Sequence, residues 1–240
     1  MEPREVIARR SDLSTFLVHL TRTSNGQLGR ERLAAILRND RLLATSMFGM
    51  AKTKLPAGVE FDSQRCVCFT ETPLEYVHLL LQAIEGRQIQ FEPYGIAFPK
   101  KLGRKLQINP VWYLDMTPGY TWLTNAVDEL VDQALGGGRD LDAHPVARLT
   151  PFIEQMFTHR DIAGNVNRKE FWWEREWRKV GHLTLPERII ILCPEEEFEH
   201  FSLVAAGIVR RASVFVDPYW GLEQIISRFA GYASEQSDIL

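Results

Sequence analysis

Thr15-Phe16-Leu17-Val18-His19-Leu20-Thr21-Arg22-Thr23-Ser24-Asn25-Gly26 is the stretch on which the fold class turns. A short β-rich run ends at Thr21, and Ser-Asn-Gly then breaks it. A doubly wound nucleotide-binding sheet would carry a GxGxxG loop here, between its first strand and its first helix. No such loop stands there. Leu33, Ile36, Leu37 and Leu42 then recur at helical spacing, which predicts an amphipathic helix ending near Asn39-Asp40. Residues 44–64 read as a loop.

Further out, strands and helices alternate without a regular βαβ rhythm. Arg65–Thr70, Tyr94–Phe98, Pro110–Leu114, Arg188–Cys193 and Ser213–Asp217 read as strands. Thr72, Pro73 and Glu75 have the spacing of a capping box, and predict a helix running to about Glu85. Residues 121–160 read as helical, interrupted by a turn at Gly136–Asp140. Acidic Glu195–Glu197 open another helix, and Gly221–Phe229 a last one. The expected fold is α+β, a mixed and largely antiparallel sheet core with surrounding helices. One domain, 1–240, is expected, with a mainly helical insertion near 115–165.

The 240 residues are 45% apolar and 25% charged, with net charge -3 and pI near 6.1. That balance argues against a broad basic face for duplex nucleic acid. Local basic clusters exist at Lys100, Lys101, Arg104 and Lys105, and around Arg168–Lys179. Three cysteines without a CxxC pair argue against a disulfide framework or a zinc site. Cys66 and Cys68 read as core thiols on one face of a strand. Residues 1–12 carry no apolar signal-peptide core, and no apolar run is long enough for a membrane span, so a cytoplasmic protein is expected.

Chemistry concentrates in Phe171-Trp172-Trp173-Glu174-Arg175-Glu176-Trp177-Arg178. As a strand, it would set Trp172, Glu174, Glu176 and Arg178 on one face, the two carboxylates roughly 6.5 Å apart along the chain. As a helix, it would pair Trp173 with Trp177. The bland alternative is an amphipathic element with solvated Glu–Arg pairs. His19 at a strand end, and Phe69-Thr70-Glu71 where a strand meets a helix, are polar sites that could also be simple turn and capping residues. HExxH, GxSxG and Walker motifs are absent.

Val18–Thr21 with Leu33–Leu37, Cys66–Leu74, Tyr94–Lys100 with Asn109–Tyr113, and Trp173–Arg178 together resemble the AbiGi-like abortive-infection family of bacterial phage-defence proteins. The likeness covers most of residues 15–230 and implies a role in phage defence with an antitoxin leaning. A more distant similarity is to ADP-ribosyltransferases of the DarT type, which modify nucleic acid. That likeness implies an ADP-ribosyltransferase-like fold using NAD as substrate, with no metal. On it, Glu176 would be catalytic and Glu174 would position the acceptor. His19, Leu20 and Thr21 would hold the NAD ribose and nicotinamide, and Phe69 and Thr70 would complete the cofactor site. Leu20 stands where that pattern has glycine. Expected partners are NAD, an RNA, DNA or protein acceptor, and a cognate toxin or antitoxin, with no membrane. The rivals are a non-enzymatic antitoxin or phage sensor, and a metal-dependent nuclease using Glu71, Glu174 and Glu176.

Overall fold

The computed structural model describes residues 12–84, 87, 89–136, 141–160, 164, 166–206 and 212–237. The strands are β1 (Phe16–Leu20), β2 (Arg41–Leu42), β3 (Ser46–Met47), β4 (Arg65–Thr70), β5 (Gly95–Pro99), β6 (Asn109–Pro110), β7 (Trp112–Asp115), β8 (Ile153–Arg160), β9 (Val166–Lys169), β10 (Glu176–Val180), β11 (Leu183–Thr184), β12 (Arg188–Leu192) and β13 (Ala212–Val216). The helices are α1 (Gly29–Asn39), α2 (Val77–Leu80), α3 (Lys100–Lys105), α4 (Trp122–Gly136), α5 (Phe198–Ala206) and α6 (Leu222–Ser237). The chain divides into two compact units, Met1–Arg41 with Phe69–Gly103 and Thr184–Leu240, and Leu42–Cys68 with Arg104–Leu183. The class is α+β, and most strand pairs are antiparallel.

In the first unit the strand order is β13-β12-β5-β1, with the end of β4 beside β1 through the pair Val18 and Thr70. The apolar runs explain the order. Ile96, Ala97 and Phe98 are fully buried, so β5 is central, flanked antiparallel by β1 and β12. Gly95 lies opposite Leu20, and a Cβ there would collide with the His19 carbonyl oxygen, so the close approach of β5 to β1 requires glycine. β12 and β13 run parallel with α5 between them. On α1, Leu33 and Leu37 are buried, and the helix closes at Asp40, which is left-handed at φ 53°. At its start, Leu28 N–H donates to Glu31 Oε2 at 3.0 Å.

The helix expected after Thr72 is a correction. Pro73 caps a 3₁₀ turn over Leu74–Tyr76, and the α-helical part is only Val77–Leu80. Thr72 supplies no cap, because its hydroxyl bonds that of Thr70 at 2.8 Å instead.

In the second unit β4 lies between β3 and β10, and β10 pairs antiparallel with β6. A separate three-stranded sheet has the order β7-β8-β9. β7 and β8 are parallel, with α4 in the crossover, and β9 returns antiparallel. Val131 and Ala134 of α4 pack with Ala51, Leu141, Val146 and Ala147. Gln64 is fully buried and satisfied, donating to the Ala147 carbonyl at 3.0 Å and accepting from Thr150 Oγ1 at 2.9 Å.

Reading 121–160 as helical fails over 153–160. Ile153, Met156 and Phe157 belong to β8, a strand with partners on both edges, so tertiary pairing decides the segment. The rest of the turn read over Gly136–Asp140 lies outside the described residues, as do residues 1–11. The segment 44–64, read as a loop, also holds β3 and two 3₁₀ turns.

Candidate functional site

The Trp-rich segment is a strand only from Glu176 onward. Trp172–Glu174 form a 3₁₀ turn, in which Glu174 N–H donates to the Phe171 carbonyl at 2.9 Å. Arg175 then sits at φ 49°, in the left-handed region, and this reverses the side-chain alternation before β10 begins. Glu174 therefore does not share a regular strand face with Glu176. Glu176 and Arg178, two residues apart on β10, do point to the same side. Phe171 and Trp173 pack edge to face at 6.1 Å, and Trp172 is exposed.

Arg178 is the centre of the second unit's polar interior, with only 1% of its surface exposed. Its Nε and Nη2 donate to the two oxygens of Glu176, each at 2.9 Å. Nη2 also donates to Glu154 Oε2 at 2.7 Å, and Nη1 to the Pro151 carbonyl at 2.7 Å. The guanidinium stacks 4.9 Å from the Phe48 ring centre. Glu154 is bonded in turn by Lys169. A rigid planar fork with several fixed acceptors is what arginine supplies and lysine does not.

The electrostatics follow from that geometry. Burial alone would raise the Glu154 carboxyl, but the charge and hydrogen bond of Arg178, with Lys169, hold it below the ordinary range. Burial would lower Arg178, yet Glu176 and Glu154 keep it protonated. Burial pushes the Cys66 thiol up to about 12. Burial and then the Glu176 charge push Cys68 well above its usual value. Both thiols are therefore poor nucleophiles. Burial, then Glu176, also raises the Tyr113 hydroxyl.

The other predicted residues belong to the first unit. His19 and Phe69 meet edge to face at 5.8 Å, and Phe69 continues to Phe98 at 5.4 Å. Leu20 is buried in the β1–β5 ladder. Thr21 is 2% exposed, and its hydroxyl donates to the carbonyls of Gly29 at 2.9 Å and Tyr94 at 3.0 Å. Its backbone N–H donates to the Tyr94 carbonyl at 2.8 Å, and its carbonyl accepts from Glu92 N–H at 3.0 Å. Thr70 accepts the Thr72 N–H at 3.1 Å. Glu71 is ion-paired with Lys100, both largely buried.

The structure thus brings His19, Phe69 and Thr70 into one neighbourhood, and Glu176 with Arg178 into another. Sequence reasoning missed Glu154 and Lys169, because one was read inside a helix and the other only as part of a basic cluster. The usable signal was Glu176-x-Arg178, a pair that fits side by side on a strand. Among the described residues no group of three or more His, Cys, Asp or Glu could hold a metal ion. No helix there is long and apolar enough to cross a membrane.

A family model described as "Putative abortive phage resistance protein AbiGi, antitoxin" matches residues 36–199, more than half of the chain. The matched span holds Phe69, Thr70, Glu154, Glu174, Glu176 and Arg178, and leaves His19, Leu20 and Thr21 outside it. No curated protein and no solved structure matches.

Proposed function

The chain belongs to the AbiGi family of abortive phage resistance proteins, and from that premise we propose that it is the antitoxin of an anti-phage abortive-infection system. It restrains a growth-arresting partner by binding it, without turnover of its own. The observation that carries this reading is the state of Glu176. Both its oxygens are held by a buried arginine that itself has three further contacts. A carboxylate so committed serves as an internal brace, and freeing it for a substrate hydroxyl would strand a buried charge. The backbone of Thr21, which nicotinamide would need, is likewise taken up by Tyr94 and Glu92.

A second reading, an NAD-dependent ADP-ribosyltransferase-like enzyme acting on nucleic acid or protein, rests on one feature. β1 and β4 pair so that His19 and Phe69 touch, with Thr70 opposite Val18. In that reading Glu176 stabilises an oxocarbenium-like state and Glu174 positions the acceptor. Removing the Glu176 charge would then cost a hundredfold or so in nicotinamide release at unchanged melting.

The test expresses the cognate toxin with and without this chain and follows growth, while the purified chain is assayed for nicotinamide release from NAD. Restored growth with no nicotinamide release is expected. Failure of the folded chain to restore growth would overturn the antitoxin reading. Release that disappears in Glu176→Gln while the variant melts as the wild type does would establish the enzyme instead.

A further inference from the structure

α4 is apolar on two sides, and only one of them is covered. At roughly 100° per residue, Thr124, Val127, Val131 and Ala134 fall on the inward side. There Val131 and Ala134 are fully buried in the second unit's core. Trp122, Leu123, Ala126 and Leu130 form a stripe on the outer side. Trp122 is 78% exposed, Leu130 43% and Leu123 40%, and Tyr120, in the turn just ahead, is 63% exposed. Scattered exposed apolar residues need no explanation, but Leu123, Ala126 and Leu130, spaced i, i+3 and i+7 with Trp122 one turn before Ala126, have the spacing of the anchors in helix-mediated recognition.

Charge narrows what can cover this stripe. Residues 106–138 contain no Lys, Arg or His, and four acids, Asp115, Asp128, Glu129 and Asp132. Lys54 bonds Asp132 at 2.7 Å and lies 3.3 Å from Asp128, so one positive charge meets the helix from below. The balance remains negative, and Glu129 borders the exposed stripe. Nucleic acid and anionic lipid would be repelled. A second copy docked through the same face would oppose acid to acid.

We propose that the outer face of α4 is the docking surface for the growth-arresting partner, which presents an apolar segment flanked by Lys or Arg. The proposal rests on the antitoxin reading, and it adds where the partner binds and what chemistry it offers. Trp122 is the anchor, since large aromatic side chains dominate such contacts. Glu129 beside it and the negative balance of the helix set the approach and the register.

The experiment titrates the purified cognate toxin into the full chain by calorimetry, at low and high salt. The double variant Trp122→Ala/Leu130→Ala should bind at least tenfold more weakly. Glu129→Lys should weaken binding mainly at low salt. Leu203→Ala, an exposed leucine on α5 in the other unit, should change nothing. Melting temperatures should match the wild type, because the altered side chains are exposed. If the double variant melts abnormally, Trp122→Arg alone carries the same test. Equal binding by wild type and the α4 variants overturns this surface while leaving the antitoxin reading intact. Absence of binding by the wild type overturns that reading and the surface with it. Self-association of the wild type that the double variant abolishes also overturns the proposal, by giving the face to a second copy.

Discussion

Arg178 is charged, almost wholly buried and fully bonded, and that combination fixes what its loss does. Arg178→Met leaves Glu176 and Glu154 as two largely buried carboxylates with one cation, Lys169, paired to Glu154. It should destabilise the protein by about 3–5 kcal/mol in urea or thermal unfolding. Glu176→Gln keeps the shape and removes one charge, so a smaller loss of about 1–3 kcal/mol is expected. Acid should act at the same place. Glu154 has a folded pKa below its unfolded value of about 4.3. Its contribution is therefore complete above the unfolded value and disappears as pH falls through the folded one. Unfolding free energy measured between neutral pH and about pH 3 should fall at the acid end, and Glu154→Gln should flatten that fall. A wild-type profile as flat as the variant's would remove Glu154 from the account.

The elements differ in how far their own residues specify them. β1, β5, β12 and α1 were legible because a strongly patterned apolar run leaves one arrangement that buries it. α2 was overextended because Thr72 has a better partner in Thr70 than in the helix start. β8 was hidden because Ile153–Arg160 pairs with β7, some forty residues earlier, a contact no local pattern announces. In the candidate site, Glu176 and Arg178 were visible as a pair, while their link to Glu154 depended on that unseen strand. Gly95 shows the same dependence. Its need for glycine comes from His19, on a strand far away in the chain. Gly95→Ala should force β1 and β5 apart and cost about 1–3 kcal/mol in thermal unfolding; a wild-type melting temperature would mean the strands can shift freely.

At the scale of the whole molecule, neither compact unit is a continuous piece of sequence. The second combines Leu42–Cys68 with Arg104–Leu183. Its core needs Ala51 and its buried amide is Gln64, both from the first of those segments. A fragment spanning 104–183 alone should therefore lack cooperative unfolding by circular dichroism, whereas the same fragment with 42–68 supplied as a peptide should regain part of it. A cooperative transition in the fragment alone would show that Ala51 and Gln64 are dispensable. This interleaving also explains why composition and motifs pointed to a single domain, since no linker-like stretch marks any crossing point.

The chain crosses between the units four times, and β5 has neighbours from residue 16 on one side and residue 192 on the other. During synthesis, at roughly 5–20 residues per second, β1 and β5 have to wait for β12 before their sheet has both edges covered. Neither unit can close while most of the chain is still on the ribosome. The second core thus waits for residues up to 183 and the first for β12 and β13 beyond them, so a growing chain carries unpaired apolar strands through most of this span and is exposed there to anything that stalls the ribosome or degrades incomplete chains.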